Sequence, residues 1–244
     1  MIYQKFAELY DELFDPTMYD KWLDFVKSNV NKSNDILDIA CGTGRLISLM
    51  ESEGYKISGM DISSDMLTMA ENNFSNHNKN IQLIQGDMLN LSSFPNYDTI
   101  TCFDDSLCYL DDILAVEKAF INVFNHLNEN GKYLFDVITP YQTDVVYPGY
   151  MYNYHDDDRA FMWTSYVGDK PHSVEHDLSF FNYNYSIDAY DAFSELHHER
   201  TYDLNEYLKK LKNAGFENVN VYSDFGKEKI SKDTTRWFFV CEKG

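Results

Sequence analysis

The stretch Ile36-Leu37-Asp38-Ile39-Ala40-Cys41-Gly42-Thr43-Gly44-Arg45-Leu46 decides the fold. Its apolar run, Asp35–Ile39, reads as a buried strand, and Leu46–Glu53 reads as a helix. Between them lies a two-glycine turn, which lets backbone N–H groups approach a ligand at a helix N-terminus. Asp61 follows Gly42 by 19 residues, at the end of the next strand, Lys56–Met60. A carboxylate there can accept two ribose hydroxyls. A nicotinamide dinucleotide site opens the same way, but position 47, where its third glycine belongs, is Ile. Two glycines without the third favour a nucleoside ligand lacking a pyrophosphate.

Outward from this turn the chain alternates strands and helices. Ser63-Ser64-Asp65 offers an N-cap for a helix running to about Asn73. Ile81–Gln85 reads as a third strand, Asp98–Phe103 as a fourth and Tyr133–Phe135 as a fifth. Asp111–Leu127 reads as a long amphipathic helix, stopped by Asn130-Gly131. Asp203–Ala214 with Gly215, then Val219–Tyr222 and Trp237–Cys241, would finish the sheet. The repetition predicts an α/β fold, doubly wound around a mostly parallel seven-stranded sheet.

Two regions depart from the rhythm. Before residue 33, Phe6, Leu9, Tyr10, Leu13 and Phe14 recur at helical spacing, and a second run holds Tyr19, Trp22, Leu23, Phe25 and Val26. Asp15-Pro16 separates these two helices. Between 140 and 200, aromatic and polar residues alternate, as in Tyr150, Tyr152 and Tyr154 or Phe161, Trp163 and Ser165. That period of two predicts antiparallel strands. The organisation expected is an N-terminal helical lid over 1–33, a ligand-binding α/β core over 34–139 and 201–244, and an antiparallel β insertion over 140–200 forming the acceptor side.

The chain carries 40 Asp+Glu against 20 Lys+Arg in 244 residues, a formal net charge of −20. A protein gripping a phosphate backbone needs basic surface, so duplex nucleic acid and anionic membranes fit poorly. Small or cationic ligands fit better. Residues 51–202 hold 25 acids and 7 bases, whereas 203–244 hold 7 acids and 8 bases. That last stretch, with Lys209, Lys210, Lys212, Lys227, Lys229 and Lys232, is where a polyanion could dock, or simply a solvated helix face. The first five strands contain or end in Asp38, Asp61, Asp87, Asp104 with Asp105, and Asp136. Ligands of doubly wound sheets bind beyond the carboxyl ends of the strands. Such a rim suits a sulfonium or an amine, although single strand-end aspartates also serve as helix caps.

Four cysteines without a CxxC pair suit a reducing, cytoplasmic setting. No apolar run approaches the roughly 18 residues of a membrane span, and the acidic start MIYQKFAELYDEL does not read as a signal peptide.

These features together resemble the class I S-adenosylmethionine-dependent methyltransferases. The resemblance rests on DIACGTGRL at 38–46, GMDISSDML at 59–67, QGDML at 85–89, TCFDDSLCYL at 101–110 and AGFENVNVY at 214–222. Within the family it looks closest to a bacterial, mostly uncharacterised subgroup with an aromatic antiparallel insertion, related to small-molecule N-methyltransferases. The resemblance implies S-adenosyl-L-methionine as cofactor. By position it implies that Gly42 and Gly44, with the backbone of Ala40 and Cys41, pack against the methionine part. Asp61 would hold the ribose hydroxyls, Ile62 and Met66 would flank the adenine, and Asp87 would bond its amino group beside the Met88 backbone. For Met66 and Met88, plain core packing is an equal reading. Phe103 would face the ammonium through its carbonyl, and Tyr10 would close over the cofactor as a lid residue.

The acceptor side is less constrained. Asp105, Tyr109 and Tyr141 lie beyond strand ends and are candidates for removing a proton, and His155, Trp163 and His172 are candidates for holding the substrate. His172 and His176 read as sharing one strand face, but two histidines without a third ligand do not make a metal site. Asp111-Asp112 reads as a helix start and His197-His198 as surface. Cys102 and Cys108 lack the Pro-Cys context of a methylating nucleophile and read as packing. The function expected is methyl transfer to N or O of a small molecule. The alternatives are a tRNA or RNA methyltransferase, a cofactor-binding regulatory protein without turnover, and, more distantly, a nicotinamide oxidoreductase. The oligomeric state is left open.

Overall fold

The computed structural model describes residues 16–76 and 81–244. The first predicted helix, with Tyr10, lies outside the described residues. From the glycine turn outward the elements run α1 (Pro16–Asn29), β1 (Asp35–Ile39), α2 (Arg45–Ser52), β2 (Lys56–Asp61), α3 (Ser64–Asn76), β3 (Leu83–Gln85) and β4 (Tyr97–Cys102). They continue as α4 (Ile113–Asn125), β5 (Leu127–Ile138), β6 (Met151–His155), β7 (Arg159–Val167), β8 (Ser173–Asn184), β9 (Ala189–Arg200), α5 (Leu204–Ala214), β10 (Asn218–Tyr222) and β11 (Arg236–Glu242).

Seven strands form one sheet in the order β10-β11-β5-β4-β1-β2-β3. Strands β1 to β5 pair in parallel, and β11 runs antiparallel to both β5 and β10. The chain winds outward through β2 and β3, then returns to β4 on the other side of β1. The β1–β4 boundary is therefore the switch point, where adjacent connections leave by opposite faces and open a crevice.

Each face buries its own core. On one side Trp22, Phe25 and Val26 of α1 and Leu46 and Met50 of α2 cover the sheet. On the other, Val116, Phe120 and Val123 of α4 pack beside Tyr207 and Leu211 of α5. Burial of these side chains stabilises the layers by about 1.5–3 kcal/mol each. Helix α4 starts where Asp112 accepts from the Leu114 and Ala115 N–H groups at 2.8 and 2.9 Å, as its place before the apolar run predicted.

Two local readings are corrected. Helix α4 ends at Asn125 with His126 as its cap, and Asn130-Gly131 sits inside β5. There Tyr97 pairs with Leu127 but Thr99 pairs with Lys132, so the segment between bulges out of register. Asn130 takes the left-handed φ of 60°, and a Cβ on Gly131 would come within 2.7 Å of the Asn128 carbonyl oxygen. The turn chemistry was real, but it serves a bulge in a long strand. Likewise His172 and His176 do not share a strand face. His172 lies in the turn before β8 at φ 57°, and its Nδ1 pairs with Asp144 at 2.7 Å.

The antiparallel sheet, ordered β6-β7-β8-β9, falls within the aromatic segment. Phe161, Leu178 and Phe180 on its inner face pack against Met69 of α3. The same face therefore roofs the carboxyl ends of the parallel strands. Among the described residues, no helix is long and apolar enough to cross a membrane.

Candidate active site

A cavity of about 510 Å³ opens at the carboxyl ends of β1, β2 and β4. The glycine turn forms one wall. Ala40 and Gly42 hold left-handed φ values of 57° and 53°, strained for alanine and easy for glycine. Among the described residues nothing lies within 4 Å of where a Gly42 Cβ would stand, so the turn leaves its backbone open toward the cavity. Asp61 holds this turn. One carboxylate oxygen accepts the Gly42 N–H at 2.8 Å and the other accepts the Ser63 N–H at 2.9 Å. Each oxygen keeps a lone pair for a further donor.

Asp38, Asp61, Asp87 and Asp104 are among the described residues that line the cavity, as is the guanidinium of Arg45. Asp38 accepts from Thr101 Oγ1 at 2.6 Å. Its carboxyl is pushed up from 3.8 to about 7, because burial disfavours the charge; the Thr101 bond opposes this and nearby Asp61 adds to it. A cation in the cavity would draw that proton off. Ile62, an apolar side chain left 68% exposed at the rim, offers a flat ligand a hydrophobic face. Burial pushes the Cys41 thiol up, reinforced by Asp38 and Asp61, and burial does the same to Cys102, Cys108 and Cys241. No cysteine here is a poised thiolate.

Ala40, Cys41, Gly42, Asp61, Ile62, Met66, Asp87, Met88 and Phe103 all line this cavity. Gly44 does not. It is buried at φ 73°, and its absent Cβ would stand 2.5 Å from Phe74 Cζ, so it serves the close approach of α2 and α3. Met66 both lines the cavity and packs against the aromatic inner face of the second sheet.

Asp104, Tyr109 and His197 also line an adjoining annex of about 70 Å³ beneath the second sheet. Tyr109 and Trp163 line the annex, and Asp105 reaches it. The Asp105 carboxylate is bound by Arg236 at 2.7 Å, and the same guanidinium lies 3.1 Å from Asp136 and 4.0 Å from Asp104. Burial pushes the Asp105 carboxyl up against the pull of Arg236, with Glu199, Asp104 and Asp136 adding to the rise. Burial disfavours the charge on Arg236, but Asp105, Asp136 and Asp104 outweigh it and hold the guanidinium protonated. Asp136 is fully buried, and it also accepts the Trp22 indole N–H at 2.6 Å and the Asp105 N–H at 2.8 Å. Tyr141 lines neither cavity, nor does His155, exposed at the end of β6, nor His172 in its turn.

Sequence reading missed two residues. His197, read as surface, lines both cavities. Its Nε2 lies 2.8 Å from Glu195 and its Nδ1 lies 3.2 Å from the Tyr109 hydroxyl. Arg236 stands just before the expected strand Trp237–Cys241 and has no role in that reading. For His197 the alternation along β9 was a usable signal, since it puts His197 and Glu195 on one face.

A family model described as a methyltransferase domain matches residues 36–131. Over 244 residues the chain is 36% identical to the putative methyltransferase YqeM of Bacillus subtilis (strain 168), covering 100% of this chain and 98% of the relative. It belongs to the class I S-adenosylmethionine-dependent methyltransferases. The crystal structure of a S-adenosylmethionine-dependent methyltransferase from Clostridium acetobutylicum ATCC 824 superposes over the whole of both chains, with a TM-score of 0.85 and 32% identity. A dTDP-3-amino-3,4,6-trideoxy-alpha-D-glucopyranose N,N-dimethyltransferase of Streptomyces venezuelae is 28% identical over 108 residues, 44% of each chain. S-adenosylmethionine is the cofactor of this methyltransferase fold, and the cavity fits it. Asp61 has lone pairs to spare, Gly42 leaves open backbone, the Ile62 face is exposed, and the acidic lining suits a cation.

The lysine-bearing C-terminal stretch is partly committed. Lys210 pairs with Glu117 at 2.8 Å, Arg236 is enclosed by carboxylates, and Lys243 Nζ donates to the Phe124 and Leu127 carbonyls at 3.0 and 2.8 Å. Three of its eight bases thus serve the fold.

Proposed function

We propose that this methyltransferase moves a methyl group from S-adenosylmethionine to nitrogen or oxygen of a small molecule. The observation that carries the reading is the pair of adjoining cavities. One is built around Asp61 and the glycine turn, and the other lies beneath the second sheet. A roofed annex of that size admits a small polar group and excludes a duplex.

In this reading Asp61 accepts the ribose hydroxyls, Asp87 and the Met88 backbone meet the adenine edge, and Ile62 and Met66 cover its faces. The backbone of Ala40, Cys41 and Gly42 flanks the methionine part. Phe103 offers its carbonyl to the ammonium, although that oxygen already accepts from Ser106 Oγ at 2.8 Å. Asp38 faces the same charge. The bound cofactor supplies an electrophilic methyl on a sulfonium whose leaving group is neutral. Alignment and exclusion of water then carry much of the rate.

The acceptor must still lose a proton. The Glu195 carboxylate accepts the His197 Nε2–H, which leaves Nδ1 as a proton acceptor toward Tyr109 and the cavity mouth. That arrangement is a histidine base oriented by a carboxylate. Asp105, committed to Arg236, acts by positioning. The N,N-dimethyltransferase name of the partial relative is consistent with a nitrogen acceptor.

The test is a panel of amines, phenols, carboxylates and bulk tRNA with labelled cofactor. Transfer to a small molecule, with release of S-adenosylhomocysteine, is expected. Transfer to tRNA alone, or cofactor binding with no turnover on any acceptor, would overturn the reading.

A further inference from the structure

We propose that His176 and Glu199, at the back of the annex, form a subsite for a hydroxylated amine. Glu199 takes the amino N–H groups, and His176 donates to the neighbouring hydroxyl oxygen. This rests on the methyltransferase reading above and narrows its acceptor.

The two residues are placed by strand register. On the face of the second sheet that lines the annex, His176 of β8 pairs with His197 of β9, and Val174 pairs with Glu199. His176 and Glu199 are therefore diagonal neighbours on one face. Both are more than nine-tenths buried, at 3% and 6% exposure. Yet among the described residues His176 Nε2 and Glu199 Oε2 have no hydrogen-bond partner, and His176 Nε2 lies 3.7 Å from the other Glu199 oxygen, Oε1. Buried polar atoms left unpaired cost free energy, and their persistence beside a cavity marks a place for a ligand.

The chemistry of each atom is set by its neighbours. The Trp163 indole N–H can only donate, and it meets His176 Nδ1 at 3.1 Å, with Ser165 Oγ also at 2.8 Å from that nitrogen. Nδ1 is thus an acceptor, and the neutral ring carries its proton on Nε2. The subsite offers one N–H donor beside one carboxylate. A cationic amine satisfies Glu199 through a charge-assisted hydrogen bond. A hydroxyl on the neighbouring carbon can accept from Nε2–H. An anionic acceptor would meet Glu199 and Asp104 with like charge, while Arg236 is already held by Asp105. None of the residues proposed from sequence for the substrate supplies this pair; Trp163 takes part only by fixing the histidine.

The readout is the Trp163 indole N–H resonance of the full-length protein saturated with S-adenosylhomocysteine, assigned by Trp163→Phe. The probes are trans-2-aminocyclohexanol, cyclohexylamine, cyclohexanol and cyclohexanecarboxylate at millimolar concentration. The expected order is a saturable shift for the amino alcohol, a weaker one for the amine, and none for the other two. Glu199→Gln should weaken the amino alcohol by about tenfold or more while leaving S-adenosylhomocysteine affinity unchanged. His176→Asn should erase the preference of amino alcohol over amine, and it decides the matter if Glu199→Gln does not fold. The proposal is overturned if no probe shifts the resonance, if cyclohexanol or the carboxylate shifts it as strongly, or if Glu199→Gln binds normally. Failure of the wild-type protein to bind S-adenosylhomocysteine would instead sink the methyltransferase reading itself.

Discussion

Tyr109 and His197 stand 88 residues apart in the chain and meet with the phenolic oxygen 3.2 Å from Nδ1. Both residues line the main cavity and the annex. Glu195 anchors the far side of the imidazole.

If His197 takes the acceptor proton, His197→Ala should lower kcat by about 100-fold or more with the best acceptor from the panel. S-adenosylhomocysteine affinity by calorimetry should not change. Glu195→Gln should cost less, about tenfold, because the base remains and only its orientation is lost. Equal activity of wild type and His197→Ala would remove His197 from the mechanism.

Asp61→Ala should weaken cofactor binding by about 100-fold or more, the value of losing two hydrogen bonds to a charged acceptor. The Gly42 and Ser63 N–H groups lose the same partner, so thermal melting should accompany the titration. Unchanged affinity in a folded variant would show that the ribose lies elsewhere.

Arg236→Met should destabilise the protein by about 3–5 kcal/mol, read from urea unfolding, because Asp105 and Asp136 would remain buried without their counter-charge. Arg236→Lys should recover only part of this, since one ammonium cannot span three carboxylates as the planar guanidinium does. Stability equal to wild type in Arg236→Met would mean that these carboxyls share protons among themselves.

The Asp38 carboxyl, raised from 3.8 to about 7, keeps its proton in the folded protein where the unfolded chain has lost it. The stability this supplies is complete below the unfolded value and disappears as pH rises through about 7. Asp38→Asn has no proton to lose and keeps an acceptor for Thr101. Its urea midpoint should gain on wild type steadily from about pH 4 to about pH 8 in the absence of cofactor. A constant difference across that range would place Asp38 in an ordinary ionised state.

Gly44→Ala should lower stability by about 1–3 kcal/mol, through overpacking against Phe74 and a left-handed φ. Phe74→Leu in the same chain should recover part of the loss. A variant of normal stability but poor cofactor affinity would return Gly44 to the binding site.

The parallel sheet and the cofactor cavity were legible in the sequence because both are local. The alternation of strand and helix is written in apolar period, and the cavity wall is one strand–turn–helix whose glycines must take left-handed φ. Asp61 could be placed because the next parallel strand ends beside the first. Even there, spacing did not separate Gly42, which opens to the cavity, from Gly44, which packs on Phe74. The antiparallel sheet was also legible from its period of two. What strand period cannot say is which face turns inward and what lies opposite it. The neighbourhoods of Arg236 with Asp105 and Asp136, of His197 with Tyr109, and of His176 with Glu199 each join segments far apart in the chain. Strand β11 beside β5 brings Arg236 to Asp105 and Asp136, β9 brings His197 to Tyr109, and β8 beside β9 brings His176 to Glu199. The sequence determined the sheet and what the turn could cradle; the tertiary structure decided which buried polar groups face the acceptor.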